Sequence, residues 1–164
     1  MPTDSVDRII KIWAERDPRL DVSPLEVVGR LRLCNAHLER AIVAALRPFG
    51  LSLGEFDVLN TLRRRGDEEG TKPTDLAQSA LITSGAMTSR LDRLERGGHI
   101  ERRPDPGDRR GVRVRLTARG ERLAEESLHA VLAADEAFLE PLSRRQRDSV
   151  ATALKQLLLR SEPG

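Results

Sequence analysis

The sequence predicts a mainly α-helical protein with one short β-hairpin. Apolar residues recur three and four positions apart along most of the 164 residues, which is the spacing of amphipathic helices. Capping-box patterns mark three helix starts, at Ser23, Ser52 and Ser143. A single segment, Arg102–Leu116, reads instead as strand, tight turn and strand.

Two helices are predicted in the first fifty residues. The first follows Asp4 and repeats apolar residues at helical spacing: Val6, Ile9, Ile10 and Trp13. The second starts at the "SPLE" box of Ser23, with proline at its first helical position, and ends at Pro48 and Gly50. It is a long amphipathic helix with one apolar face.

Three shorter helices are predicted next. One opens at the "SLGE" box of Ser52 and stops at Gly66. Another starts near Lys72, with Leu76 and Ala80 directed inward. The third starts near Ser84, a good N-cap residue, and keeps three apolar residues on one face: Met87, Leu91 and Leu94.

The hairpin and two more helices complete the chain. Strands are expected at Ile100–Arg103 and Gly111–Leu116, with one face of the second strand buried through Val112, Val114 and Leu116. Thr117 can cap a long helix that Pro141 breaks. The box at Ser143 then opens the last helix.

Two short helices joined by a tight turn and followed by a hairpin form a winged helix-turn-helix, flanked here by long helices. In such a motif the second helix of the pair lies in the major groove of DNA. The charge distribution agrees, because residues 84–116 carry nine arginines and five acids while the whole chain carries only +2. Arginine content alone is uninformative, since the chain has only three lysines.

The stretch Leu51–Gly120 resembles the MarR family of bacterial winged-helix regulators. Its most specific pieces are "TSRLDRLE", the wing "DPGDRR" and "LTARG", in this order and spacing. The flanking long helices match the family's layout, so the resemblance covers nearly the whole chain. It implies a homodimer joined by its N- and C-terminal helices and bound to pseudo-palindromic DNA, and small molecules that weaken that binding.

We therefore expect three regions within one structural unit. Residues 1–50 would supply dimerisation helices and part of a ligand pocket, 51–117 the DNA-binding motif, and 118–164 further dimerisation helices. The residues favour a dimer independently of the resemblance, because the first helix and the last two have apolar faces too long for so small a motif to cover. The alternative is that these helices fold back on their own motif.

Six predicted DNA contacts lie on the helix that starts near Ser84. With Met87, Leu91 and Leu94 buried, the start and the opposite face carry Ser84, Gly85, Thr88, Ser89, Arg93 and Arg96. Arg93 can donate two hydrogen bonds to one guanine. The alternative is a solvated face on which Asp92 and Arg96 pair one turn apart.

Three further DNA contacts are predicted at the tip of the wing. Arg110 would enter the minor groove, whose negative potential attracts guanidinium groups. Asp108 would hold Arg110 in position, and Arg109 would meet a phosphate. The resemblance implies the same roles, and the alternative is an ordinary solvated turn.

Four residues match a MarR subgroup that responds to urate and related anions: Trp13, Asp57, Arg90 and Arg102. The resemblance implies a small anionic effector, either urate-like or an aromatic carboxylate. Two guanidiniums and an indole suit a flat anionic ring. The alternatives are that Trp13 only packs its helix on the dimer and that Asp57 and Arg90 form a structural ion pair.

Other functions find little support. Cys34 is the only cysteine and is expected to be buried and structural. No metal-ligand spacing, cofactor motif or catalytic motif is present, so we expect no cofactor and no enzyme, although groups assembled in space escape a sequence motif. No signal peptide or membrane span is predicted, and a cytoplasmic location follows. The rival binding function is an architectural DNA binder without an effector.

Overall fold

The computed structural model describes residues 2–79 and 84–161. These residues form seven α-helices, one 3₁₀ helix and a two-stranded antiparallel sheet, so the mainly α fold with a hairpin is confirmed. The elements in chain order are α1 (Ser5–Arg16), α2 (Leu25–Leu46), the 3₁₀ helix (Arg47–Phe49), α3 (Leu53–Arg65), α4 (Pro73–Ser79), α5 (Ser84–Arg96), β1 (Ile100–Asp105), β2 (Asp108–Leu116), α6 (Ala118–Leu139) and α7 (Arg144–Ser161).

The chain divides into two compact units, Met1–Ala41 and Ile42–Gly164, here called the N-terminal and C-terminal units. In the N-terminal unit, Asp4 and Asp7 form a capping box at the start of α1. Both carboxylates also bind Arg30 of α2, at 2.8 Å and 2.5 Å. Val6 is buried against Gly29, where an added Cβ would lie 3.2 Å from Val6 Cγ1. These contacts fix α1 on the first turns of α2.

Two predictions for α2 need correction. The "SPLE" box does not cap the helix, because the backbone amide of Ser23 donates to the carboxylate of Asp21 and is not left for Glu26. Ser23 and Pro24 form a turn, and α2 starts at Leu25. Cys34 is exposed in this chain rather than buried. Helix α1 contacts α2 at Gly29, which lies more than one helical turn before Cys34, so this contact does not cover the cysteine.

The C-terminal unit is built around α3, α5 and the hairpin. Ser52 and Glu55 form the predicted capping box of α3, and Gly66 ends the helix in the left-handed region with a φ of 62°. The core joins residues from α3 to α6: Val58, Leu59, Leu62, Leu76, Met87, Leu91, Leu94, Ile100, Val114 and Ala124. Leu76 is buried as predicted, whereas Ala80 lies outside the described residues.

The wing differs in detail from its prediction. Both strands extend further toward the turn at Pro106 and Gly107. Pro104 pairs with Val112 and Asp105 with Asp108, so residues 109–111 form a bulge in β2. Val112 is 39 % exposed although it was expected in the buried face. The hairpin has left the core at that point, and only Val114 below it is fully buried.

Helices α6 and α7 follow the predicted caps. The Thr117 hydroxyl accepts from the Gly120 amide at the start of α6, and Ser143 exchanges hydrogen bonds with Gln146 at the start of α7. Val131 of α6 packs with Leu46 and Phe56 in a second cluster. By contrast, the described residues of α7 include none that is buried in the single chain.

Candidate nucleic-acid interface

Helix α5 has one buried side and one exposed side, as its sequence predicts. Met87, Leu91 and Leu94 are each 2 % exposed and belong to the core. They anchor the helix against α3, α4 and β1. The opposite side is therefore exposed over the described side chains from Thr88 to Arg96.

The exposed side of α5 carries Thr88, Ser89, Arg93 and Arg96. The Ser89 hydroxyl donates to the carbonyl of Ala86, and Arg96 Nε donates to the carbonyl of Asp92 at 3.3 Å. Ser84 and Gly85 form the first turn of the helix, and their side-chain positions lie outside the described part of the structure. The expected alternative partner of Arg96, the Asp92 carboxylate, binds Arg102 instead.

Arg93 has a partner that the sequence did not reveal. Its Nε lies 2.8 Å from Oε1 of Glu55, in the first turn of α3. The Arg93 side chain is 52 % exposed and that of Glu55 only 11 %. Burial alone would raise the pKa of Glu55, but hydrogen bonds from Ser52 and the charge of Arg93 hold that pKa below its ordinary value. Glu55 is therefore a carboxylate at neutral pH.

The predicted DNA contacts of the wing lie just beyond its turn. Asp108, Arg109 and Arg110 are the first residues of β2, and all three are exposed. The Asp108 carboxylate accepts a hydrogen bond from the backbone amide of Arg110 at 2.9 Å. Asp108 thus fixes the backbone from which the Arg110 side chain extends.

A buried carboxylate beneath the bulge was not predicted. Asp105 has a side chain only 1 % exposed and lies 3.2 Å from both Lys72 Nζ and Arg113 Nε. The hydrogen bond from the Gly107 amide, helped by the two cations and opposed by burial, lowers the pKa of Asp105 to about 2. The acid therefore links the wing to the residue that precedes α4.

Further hydrogen bonds join the wing to the segment before α4. Thr71 pairs with Val114 through two hydrogen bonds of 2.8 Å and 2.9 Å, and Arg113 Nη1 donates to the carbonyl of Gly70. An added Cβ on Gly70 would lie 2.9 Å from the Val114 carbonyl oxygen, so this close approach needs glycine. The wing is consequently attached to the segment that leads into α4.

Asp57 and Arg90, two of the predicted ligand residues, lie near each other in the C-terminal unit. Burial raises the pKa of Asp57, against the attraction of Arg90 and Arg64. Arg90 packs over Gly54, where an added Cβ would come within 2.2 Å of its Nε. Its Nη1 is buried and makes no hydrogen bond with any residue that the structure describes. A buried, unsatisfied guanidinium N–H is a natural partner for an anion.

The other two predicted ligand residues are placed differently. Arg102 of β1 binds two acids of α5, with Nη2 at 2.6 Å from Asp92 and Nη1 in contact with Glu95. It therefore ties the wing to α5 in this structure. Trp13 belongs to the N-terminal unit and is 43 % exposed there.

Among residues 2–79 and 84–161, no group of three or more His, Cys, Asp or Glu side chains could hold a metal ion. No helix in the same ranges is long and apolar enough to cross a membrane.

The comparisons with known proteins agree with the arrangement of α3, α4, α5 and the wing. A family model described as the MarR family matches residues 49–111. The HTH-type transcriptional regulator PecS of Dickeya dadantii is 36 % identical over 96 % of this chain and 92 % of its own length. The chain belongs to the MarR family. The multiple antibiotic resistance protein MarR of Salmonella typhimurium is likewise 36 % identical, over 60 % of this chain and 67 % of its own.

Solved structures of MarR-family proteins have the same fold. A cysteine-to-serine mutant of Escherichia coli MarR complexed with operator DNA matches 90 % of this chain and 98 % of its own, with a TM-score of 0.72 and 28 % identity. The Mycobacterium tuberculosis family member Rv2887, complexed with salicylic acid, matches 84 % of this chain and 98 % of its own, with a TM-score of 0.64 and 34 % identity. The MarR-family member described here is a transcriptional regulator and not an enzyme, as predicted.

Proposed function

We propose that this MarR-family regulator is a cytoplasmic homodimeric repressor. It binds a pseudo-palindromic operator and leaves it when a small anionic aromatic or purine ligand binds. The observation that carries the proposal is the exposed, arginine-bearing side of α5 beside a wing that presents Arg109 and Arg110. A relative with this fold has been solved on operator DNA, and another with salicylic acid.

In this proposal the DNA contacts are the nine predicted residues. Helix α5 enters the major groove with Ser84, Gly85, Thr88, Ser89, Arg93 and Arg96, and the wing contributes Asp108, Arg109 and Arg110. Both sets belong to residues 51–117 of the C-terminal unit. The exposed guanidiniums of α5 and of the wing suit a DNA duplex in which α5 occupies the major groove and the wing contacts the adjacent minor groove.

Residues 1–50 and 118–164 supply the dimer interface in this proposal. Large apolar side chains are exposed in the described parts of both regions, among them Ile9, Ile12, Val27, Val28, Leu132, Val150, Leu157, Leu158 and Leu159. Apolar surface of this extent on a single chain marks an interaction site. A second copy related by a two-fold axis would cover it and would place two α5 helices about one DNA turn apart.

The effector would bind through Arg90, together with Asp57 and Arg102 of the C-terminal unit. Trp13 of the N-terminal unit is the fourth proposed ligand residue. An anion that satisfies the buried Nη1 of Arg90 competes with Asp57 for the same charge. If it also attracts Arg102, it weakens the ion pairs that join β1 to Asp92 and Glu95 of α5. The ligand then favours a different position of α5 from the one that DNA requires, which is the condition for release.

DNA binding can be tested by selecting operator sequences from a random pool and measuring affinity by gel shift. Affinity should fall steeply with salt, with a log–log slope of about −0.9 per neutralised phosphate. Arg93→Ala should cost about 1–3 kcal/mol at one position of each half-site. Binding that does not respond to salt or to sequence would reject the proposal.

The effector site can be tested through Trp13, the only tryptophan. Urate, other purines and aromatic carboxylates would be titrated while its fluorescence and the release of operator DNA are followed. We expect a response to at least one anion that Arg90→Ala abolishes and Asp57→Asn alters. Cys34→Ser serves as the control and should leave the response intact. If no anion changes the fluorescence or releases DNA at millimolar levels, the pocket assignment is wrong.

A further inference from the structure

Glu55 uses its two carboxylate oxygens for two different elements. Its Oε2 accepts hydrogen bonds from the backbone amide of Ser52 at 2.8 Å and from the Ser52 hydroxyl at 2.7 Å, which caps α3. Its Oε1 lies 2.8 Å from Arg93 Nε on α5. The residue as a whole is only 8 % exposed. A buried acid in the first turn of α3 thus holds one end of an arginine on the DNA-facing helix.

The contact with Glu55 occupies Nε of Arg93 and leaves its two Nη nitrogens available. Glu55 approaches the guanidinium from the Nε side, and no other described residue forms an ion pair with Arg93. The Nη nitrogens lie at the far end of a side chain that is 52 % exposed. These two nitrogens are the fork that donates to O6 and N7 of a guanine when an arginine meets the base end-on.

Arg93 also lies at the right place on α5 for this use. The core residues Met87, Leu91 and Leu94 define the buried side, and Arg93 lies near the edge of the opposite side. From there it can reach both Glu55 of α3 and a base in the groove. Arg96, on the same exposed side, is bonded instead to the backbone of its own helix.

We propose that Glu55 is a positioning residue for base recognition: it orients Arg93 so that the Nη edge of the guanidinium faces the DNA. This inference rests on the DNA-binding role proposed above. An unheld arginine side chain samples many rotamers and loses that freedom when it binds a base. Glu55 restricts those rotamers in the free protein, so Arg93 discriminates between bases more strongly than it would alone.

Glu55 improves base discrimination in this proposal, whereas its negative charge weakens binding to DNA of any sequence. The two effects can therefore be separated by experiment. A carboxylate near DNA repels the phosphate backbone, so its removal should strengthen binding to any sequence. A variant that binds random DNA equally well or better, and yet discriminates less between bases, can be explained only by lost positioning of the reading side chain. Loss of a purely structural residue would weaken binding to all sequences together.

The test compares Glu55→Gln with the wild-type chain on three duplexes. These are the selected operator, the operator changed at the base pair that Arg93→Ala identifies, and a random duplex. Glutamine keeps the capping box of α3 but carries no charge. We expect discrimination at that base pair to fall at least about fivefold, and affinity for the random duplex to stay equal or rise. In the Arg93→Ala background, Glu55→Gln should cause no further loss of discrimination.

Two matched variants serve as controls. Glu101→Gln removes the same charge from the wing, where the acid binds Arg103 and Arg115, and should leave discrimination at the Arg93 position unchanged. Ser52→Ala removes the hydroxyl bonded to Glu55 Oε2 but keeps the hydrogen bond from the backbone amide of residue 52 and the contact of Oε1 with Arg93. It should lower thermal stability and leave discrimination close to that of the wild type. Glu55→Asp repeats the test if glutamine prevents folding, because its shorter carboxylate stays in the first turn of α3 but no longer reaches Arg93.

Each outcome decides one proposal. If Glu55→Gln and Glu55→Asp keep full discrimination while Arg93→Ala loses it, the positioning role is wrong and DNA recognition by Arg93 stands. If Arg93→Ala itself keeps full discrimination, Arg93 does not read a base and the positioning role fails with it. If the wild-type chain shows no sequence preference, the proposed function fails first.

Discussion

The arginines around α5 differ in how much of their hydrogen-bonding capacity is already used. Arg102 is held by two acids, Asp92 and Glu95, and Arg93 by one, Glu55. Arg90 instead has a buried Nη1 without a partner among the described residues. An incoming anion would break existing ion pairs at Arg102 but would satisfy an empty donor at Arg90. Arg90 is therefore the stronger of the two candidates for first contact with a ligand.

Asp105 provides a pH test of the attachment between the wing and the rest of the motif. Its pKa of about 2 lies below the ordinary aspartate value of 3.8, so the ionised side chain stabilises the folded chain above about pH 4. That contribution is lost as the pH falls from about 4 to about 2. Asp105→Asn should therefore lower the free energy of unfolding at pH 7, and the difference from wild type should shrink across this interval.

Urea denaturation at several pH values measures this difference. Asp108→Asn is the matched control, because Asp108 is an exposed aspartate three residues further along the same wing. It should show a smaller difference at pH 7. A difference between Asp105→Asn and wild type that stays constant from pH 7 to pH 2 would contradict the ionic role of Asp105.

At the scale of helices and strands, the sequence predicted the helix caps and the buried side of α5, which depend on residues close together in the chain. The boxes at Ser52 and Ser143 and the N-cap Thr117 form as expected, since each needs only residues within one turn. The buried side of α5 also follows from helical spacing alone. The box at Ser23 failed for an equally local reason, because Asp21 competes for the same amide hydrogen.

The ion pairs between different helices and strands could not be predicted from the sequence. Glu55 was expected only to cap α3, and nothing in its neighbourhood indicates Arg93, which lies 38 positions further along the chain. The sequence pattern does not indicate a role for Asp105, because its partners Lys72 and Arg113 come from a different loop and from the opposite strand. Arg102 was assigned to the ligand pocket, and its ion pairs with α5 depend on the packing of β1 beside that helix.

The position of the Arg90 side chain over α3 requires the absence of a side chain at Gly54. A Cβ there would come within 2.2 Å of Arg90 Nε, so Gly54→Ala must displace that guanidinium. Stability should change little, because alanine favours a helix by up to about 1 kcal/mol over glycine and the arginine can move. Anion-induced release of DNA should nevertheless weaken as it does in Arg90→Ala.

Gel-shift titration with the active anion measures this effect. Gly107→Ala is the control, since its added Cβ would meet only ordinary contacts, with Asp105 Oδ1 at 3.7 Å. It should keep the wild-type response. A normal response in Gly54→Ala would show that the position of Arg90 does not matter for release.

The wing should contribute two distinguishable kinds of DNA contact. Arg110→Ala should weaken binding most on operators with A·T-rich flanks, because a narrow minor groove attracts guanidinium most strongly there. Arg109→Ala should weaken binding equally on all flanks and reduce the salt slope by about 0.9, as expected for one lost phosphate contact. Equal effects of both variants on A·T-rich and G·C-rich flanks would contradict these assignments.

At the scale of the whole molecule, the single chain leaves many large apolar side chains exposed. Leu157, Leu158 and Leu159 of α7 are each more than half exposed. Burying the exposed part of one such leucine contributes on the order of 1 kcal/mol, and a two-fold interface contains it twice. Leu158→Glu should therefore shift the chain from dimer to monomer in sedimentation experiments and weaken operator binding. Lys155→Glu on the same helix is the control for charge and should leave the dimer intact.

The pair of hydrogen bonds between Thr71 and Val114 turns one backbone amide into a reporter. The Val114 N–H is bonded to the Thr71 carbonyl, and the residue is fully buried, so its proton can exchange with solvent only when the wing separates from the strand segment before α4. Its hydrogen–deuterium exchange rate in the 164-residue chain therefore measures how often that separation occurs. A ligand that loosens the wing would accelerate this exchange, whereas operator DNA would slow it.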